Sequence, residues 1–281
     1  MRVKAPAKIN LCLEVIGKRA DGYHNVATVL HTLDLADELT FEPAEGLSLQ
    51  CQPPVGSEEE NLVMRAARLL RQETGCTQGA AISVTKHIPI AAGLGGGSSD
   101  GAATLLALDA LWGLGLSRER LAGLAASLGA DAPFFLDGPC ALAKGRGDLL
   151  TPLPRLQGWW AVLLCPPIAL EGKTGRLFGM LTPSDYSDGS AAGALAQQIG
   201  DGSASQGDFA MARNAFERVA DQAFPGLERY RRAFLAAGAP FVRLSGSGPS
   251  IFTLVGGAPE GQRLAASLHA RGFEAHVAAL V

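Results

Sequence analysis

With 281 residues and 47% hydrophobic side chains, the chain can build a sizeable core in one large domain or two modest ones, which excludes a wholly disordered polymer. The formal net charge is −3, from 24 basic and 27 acidic residues, and no run of Lys or Arg provides the basic stripe that nucleic acid requires. Its five cysteines are odd in number and never form C-x-x-C, the pattern of reduced thiols in a cytoplasmic protein rather than of disulfides or a zinc site.

Lys4, Lys8 and Glu14 interrupt the first apolar stretch, so no secretory signal is expected. The longest apolar run, 159–170, contains two prolines, is too short to span a bilayer and reads as a buried strand. No membrane contact is expected, and protein partners are left open.

Residues 3–16 read as a strand in which Ile9, Leu11, Leu13 and Val15 alternate with Lys8, Asn10, Cys12 and Glu14. Lys8 and Asn10 therefore share a face. A lysine defaults to the surface, but one placed in Ala5-Pro6-Ala7-Lys8-Ile9-Asn10 at the opening of a core strand is a candidate for more. A turn over 17–22 leads to Tyr23-His24, which suits either stacking on a flat ligand or a half-buried turn aromatic. Strands over 25–35, 37–43 and 46–51 complete an antiparallel N-terminal sheet. A helix follows over 61–74, capped by Asn61 and stopped by Gly75, and a strand over 80–88.

That strand delivers Pro89-Ile90-Ala91-Ala92-Gly93-Leu94-Gly95-Gly96-Gly97-Ser98-Ser99. Its four glycines permit positive φ and close approach to a ligand, and the two serines stand where an Ala- and Leu-rich helix should begin. Free N–H groups and the positive end of the helix dipole make this a phosphate cradle. The Walker, dinucleotide and protein-kinase glycine patterns all fail on spacing. Gly172-Lys173-Thr174 imitates the end of a Walker loop, but the place of its first glycine is taken by Pro167, which cannot donate an N–H.

Helices are expected over 99–113 and 118–128. In the following Gly129-Ala130-Asp131-Ala132-Pro133-Phe134-Phe135, Asp131 reads equally as a helix cap and as a positioned acid. Strands over 139–145 and 159–166 flank a domain boundary at 152–158, giving domains of 1–153 and 154–281. The Ser-, Gly- and Asp-rich segment 184–208 reads as a mobile connection with a short helix near 191–199. Helices over 208–222 and 226–237, a strand over 241–244, the loop 245–250, a strand over 251–255, a helix over 259–271 and a strand over 273–280 complete an α+β half, a helix-backed four-stranded sheet. The 245–250 loop is either a plain turn or a close neighbour of the first cradle.

Three separated segments, Pro6 to Asn10, Gly93 to Ser99 and Leu244 to Ser250, taken together resemble the GHMP small-molecule kinases, a group that includes galactokinase, homoserine kinase and mevalonate kinase. The motifs Ala20-Asp21-Gly22-Tyr23-His24 and Gly129 to Phe135 resemble the branch whose substrate is a cytidyl-diphosphate sugar alcohol of non-mevalonate isoprenoid synthesis. The resemblance implies a two-domain α/β (α+β) fold, ATP with Mg²⁺, and transfer of the γ-phosphoryl to an alcohol. It implies that Asp131 is the catalytic base with Lys8 as its charged partner, the two converging beside the glycine turn. The 89–99 loop would hold the ATP phosphates, with Ser98 or Ser99 as a metal ligand, and the 245–250 loop would buttress it. Asn10, Tyr23, His24, Thr174 and Phe178 would hold the cytidyl substrate. Leu30 replaces an aromatic frequent in relatives, and Gly101 a usual alanine. A smaller alcohol substrate, of homoserine or mevalonate type, and nucleotide binding without catalysis are the competing readings.

Overall fold

The computed structural model describes residues 1–281, which form two compact units, each assembled from separated stretches of chain. The first contains Met1–Ala7, Leu35–Ile90 and Gly95–Gly138; the second contains Lys8–Asp34, Ala91–Leu94 and Pro139–Val281. Two long strands, β1 (Arg2–Lys18) and β2 (His24–Ala44), pair with each other and run through both. The strands expected over 25–35 and 37–43 are thus one. Asp37, the first residue of the second expected strand, is completely buried and accepts N–H bonds from His87 and Ile88 at 2.6 and 2.8 Å.

In the first unit β3 (Leu47–Gln52), α1 (Leu62–Thr74) and β4 (Gly79–Thr85) form a β-α-β crossover. Strand β3 therefore lies parallel to β4, correcting the all-antiparallel expectation, while β4 runs antiparallel to residues 38–44 of β2. Helix α1 is bounded as its sequence indicates. The Asn61 side chain accepts from Val63 N–H, and Gly75, at φ 70°, donates to Arg71 O. Helices α2 (Gly96–Trp112) and α3 (Arg118–Leu128) pack with α1 over a core that includes Phe41, Ile82, Leu105, Leu108 and Leu124. A short α4 (Phe134–Asp137) ends the unit.

In the second unit β5 (Cys140–Gly145) pairs with residues 26–31 of β2 and with β6 (Leu149–Leu153), an edge strand that tolerates Pro152 and that the sequence reading missed. After β7 (Trp160–Leu164) come α5 (Lys173–Met180), α6 (Ser190–Asp201), α7 (Gln206–Met211), α8 (Glu217–Ala223) and α9 (Leu227–Ala236). Then β8 (Arg243–Leu244), β9 (Ile251–Val255), α10 (Ala258–His269) and β10 (Ala275–Ala279) close the chain. The antiparallel sheet β10-β7-β9-β8 is the four-stranded, helix-backed layer expected. Its core gathers Val162, Phe216, Phe224, Phe234 and Leu268.

Residues 184–208 hold the short helix expected near 191–199, as α6, but are packed rather than a loose connection. Helix α6 buries Ala192, Leu195, Ala196 and Ile199. It is capped from a distance by Glu14, whose buried carboxylate accepts Ala192 N–H at 2.8 Å. The expected 208–222 helix breaks at 212–216, where Leu13 exchanges backbone bonds with Arg213 and Ala215. No helix is long and apolar enough to cross a membrane.

One buried histidine makes the fold sensitive to pH. His31 Nδ1 lies 2.8 Å from Thr32 O and Nε2 accepts Leu156 N–H at 3.1 Å, so only the neutral Nδ1–H tautomer satisfies both contacts. Burial pushes its pKa down to about 4. Between the ordinary value near 6.5 and about 4, the unfolded chain takes up a proton that the folded chain refuses, so stability present at neutral pH is lost on acidification. The loss expected from this group is about 3 kcal/mol by pH 4. Urea midpoints at pH 7.5 and 5 should fall less steeply in His31→Gln than in wild type, and equal slopes would refute the assignment.

Candidate active site

In the second unit, β1 is covered on both faces, so its polar residues are interior. Lys8 and Asn10 are 3% and 4% exposed. A buried ammonium needs partners. Lys8 Nζ donates to Asn10 Oδ1 at 2.6 Å and to Gly93 O at 3.1 Å, and Asn10 Nδ2 donates to Thr28 Oγ1 at 2.8 Å. The surface default for Lys8 is overturned, and the shared face of Lys8 and Asn10 is the one expected from their spacing.

The turn 91–94 lies directly against the 245–250 loop, which settles the choice left open for that loop. A Cβ on Gly93 would stand 2.5 Å from Ser245 O and 2.8 Å from Gly248 O, while Gly93 itself has φ 85°. Ser245 Oγ donates to Gly93 O at 3.1 Å, and Ser250 N–H donates to Ala92 O at 3.1 Å. Asn214 secures the far side of the loop, giving Nδ2 bonds of 2.8 and 2.9 Å to Leu244 O and Gly246 O. The Walker-like Gly172-Lys173 contributes an unforeseen contact: Lys173 Nζ donates to Ala91 O at 2.7 Å and to Gly248 O.

In the first unit the same loop continues into α2. Gly95, at φ 75°, caps a helix that begins at Gly96, three residues before the expected start. Ser98 and Ser99 therefore sit within its first turn, not before it, and Gly101 lies in its second turn. No acid of the helix itself occupies that first turn, although Asp37 Oδ2 would stand 3.4 Å from a Cβ on Gly96. Ser99 Oγ and Asp100 Oδ1 are buried without a hydrogen-bond partner. Behind them Lys86 Nζ bonds Asp37 Oδ2 and, at 2.5 Å, Asp100 Oδ2. Burial raises the Asp100 pKa to about 7 against the opposing pull of Lys86. Burial also works against the Lys86 charge, but the two carboxylates outweigh it and hold its pKa above the ordinary value. This ion cluster joins the strand exit to the helix start. Sequence reading missed it because Asp37, Lys86 and Asp100 are isolated charges in unrelated segments.

Asp131 is half-buried in the turn between α3 and α4. It does not cap α4, whose N-cap is Pro133. The turn lies beside the start of α2, since a Cβ on Gly129 would stand 3.7 Å from Ser98 Oγ.

The expected base-reading residues separate into two groups in the second unit. His24 stacks on Phe178 with ring centres 4.5 Å apart and planes 13° from parallel, and Tyr186 Oη approaches His24 Nε2 at 3.5 Å. Tyr23 is 57% exposed, with the Arg146 guanidinium 5.2 Å from its ring centre. Thr174 Oγ1 is 3.0 Å from Ser247 Oγ, on the second glycine loop. Leu30 is fully buried in β2. No three His, Cys, Asp or Glu side chains group to hold a metal ion.

Comparison with known proteins gives these features a family. The GHMP kinase N-terminal domain model matches residues 61–139 and the C-terminal model residues 193–274. The chain is 39% identical to 4-diphosphocytidyl-2-C-methyl-D-erythritol kinase of Dehalococcoides mccartyi, over 97% of this chain and 95% of that one. The enzyme of the same name from Symbiobacterium thermophilum is 42% identical over 94% of each. A crystal structure of 4-(cytidine 5'-diphospho)-2C-methyl-D-erythritol kinase superposes with a TM-score of 0.82 at 37% identity, covering 99% of this chain and 98% of that one. Homoserine kinase from Cytophaga hutchinsonii shares the fold, with a TM-score of 0.75 at 20% identity over 99% and 93% of the two chains. The chain belongs to the GHMP kinases, which are ATP-dependent small-molecule kinases, and within them to the group formed by its 4-diphosphocytidyl-2-C-methyl-D-erythritol kinase relatives.

Proposed function

We propose that the chain transfers the γ-phosphoryl of ATP to the 2-hydroxyl of 4-diphosphocytidyl-2-C-methyl-D-erythritol, as the names of its relatives suggest. The observation that carries this choice of substrate is the His24–Phe178 stack, in the unit that also holds Lys8, Asn10 and the Gly93 turn. An aromatic platform with a hydrogen-bonding imidazole edge suits a pyrimidine and has no purpose for a small aliphatic alcohol. Tyr23 offers a further ring at the same chain turn, and Asn10 and Thr174 offer polar contacts.

Phosphoryl transfer asks a protein for positioning and for stabilisation of charge on the transferring oxygens. Residues 89–99 supply backbone N–H groups and the positive end of α2 for the ATP phosphates. Asp131 accepts the proton of the acceptor hydroxyl as general base, with Lys8 as its charged partner. The orphaned Ser99 hydroxyl fits a ligand of Mg²⁺, with Ser98 as the alternative, and the phosphate oxygens would supply the rest of the shell. When bound, that ion neutralises charge across the phosphates. By chain order the family's N-terminal and C-terminal domains are assigned 1–153 and 154–281, a division distinct from the two compact units, and the setting is cytoplasmic.

ADP release measured across 4-diphosphocytidyl-2-C-methyl-D-erythritol, mevalonate, homoserine and galactose should be confined to the cytidyl alcohol. Phe178→Ala should raise KM for that alcohol by about tenfold and leave KM for ATP within a factor of two, the loss of one stacking contact. Turnover of another alcohol in its place would reassign the substrate, and no ADP release with any alcohol would favour binding without catalysis.

A further inference from the structure

We propose that Lys173 is a positioning residue for the nucleotide phosphates, clamping the turn 91–94 to the 245–250 loop so that its amides face the ligand. This deepens the kinase reading above and rests on it. Three successive carbonyls of the turn are held by protein groups: Ala91 O by Lys173 Nζ at 2.7 Å, Ala92 O by Ser250 N–H at 3.1 Å, and Gly93 O by Lys8 Nζ and Ser245 Oγ, each at 3.1 Å. In a trans peptide the C=O of one residue and the N–H of the next point in opposite directions. Anchoring these carbonyls therefore turns the N–H groups of Ala92, Gly93 and Leu94 the other way, as an anion cradle requires.

Ala91 is where the turn most needs holding. It is a non-glycine residue at φ 56°, a left-handed conformation that costs an alanine about 1 kcal/mol and persists only under external constraint. Lys173 holds the carbonyl of that residue and, with the same ammonium, Gly248 O across the second loop. Its neighbour Thr174 meets Ser247 on that loop at 3.0 Å, so the first two residues of α5 grip the assembly together. Gly172, at φ 60°, turns the chain into that helix.

The test uses the full-length enzyme and a non-hydrolysable ATP analogue with Mg²⁺, its affinity read by calorimetry. Lys173→Met should weaken nucleotide binding about tenfold, the scale of one charge-assisted hydrogen bond, and leave KM for the cytidyl alcohol within a factor of two at saturating ATP. Backbone amides of 91–95 should exchange hydrogen faster in the variant, and Lys173→Arg, which keeps charge and donors, should bring nucleotide affinity back to within about threefold of wild type. Lys173→Gln serves in place of an insoluble Lys173→Met and should weaken binding in the same sense. Unchanged nucleotide affinity, an equal loss for both ligands, or no rescue by Arg would each overturn the proposal. A wild-type protein that binds no nucleotide would overturn the kinase reading as well, whereas a wild type that binds and a variant that matches it would overturn the Lys173 role alone.

Discussion

Asp131→Asn is expected to lower kcat by roughly 10²–10⁴-fold, the span lost with a general base, out of proportion to any fall in stability. The substitution keeps the size of the side chain and removes its ability to take a proton. The residue sits half-buried in a turn and caps no helix. Single-turnover kinetics with saturating ATP and acceptor would isolate the chemical step, and thermal unfolding would report on the fold. A folded Asp131→Asn enzyme turning over at the wild-type rate would remove Asp131 from the mechanism. Parallel losses of turnover and stability would return it to a structural role.

Gly93→Ala is expected to be the most damaging single methyl addition in the glycine loop. The new Cβ would meet Ser245 O at 2.5 Å and Gly248 O at 2.8 Å, backbone atoms that cannot swing aside, and φ 85° strains any residue with a Cβ. The backbone strain alone is about 1–2 kcal/mol, worth several degrees of melting temperature in a chain of this size, before either loop is displaced. Activity should fall more than tenfold, because the loop that moves is the one proposed to hold the phosphates. Gly123→Ala is the control: its site is open, it lies inside α3, and alanine there should hold or raise the melting temperature. If both variants melt with the wild type, the two loops are not packed as tightly as these contacts require.

What could be read in the chain without coordinates followed local physics. Helix α1 announced both ends through Asn61 and Gly75, and the alternation in residues 8–15 placed Lys8 and Asn10 on one face. The four-stranded C-terminal sheet was legible from the order of its strands and helices. Other features depended on distant partners and were hidden for that reason. The composition of 184–208 suggested a loose connection, yet a carboxylate from Glu14, far back in β1, caps the helix there. Asp37 gave no sign of its buried role because its partners, the amides of His87 and Ile88 and the Lys86 ammonium, lie about fifty residues on. Lys173 was set aside as a false Walker lysine, which is correct for the motif but passes over the two carbonyls it holds. The helix start moved from Ser99 to Gly96 because glycines at 95–97 can both turn and coil, and serines at 98–99 are tolerated inside a first turn.

The Gly93 carbonyl is met by Lys8 from 85 residues before it and by Ser245 from 152 residues after it. Contacts of such separation are costly in loop entropy and form late, whatever the helices do early. During synthesis the turn waits for Ser245 to leave the ribosome before it acquires that backing. A chain halted before Ser245 would carry a glycine turn without that support, so nascent or prematurely terminated copies would be unable to consume ATP.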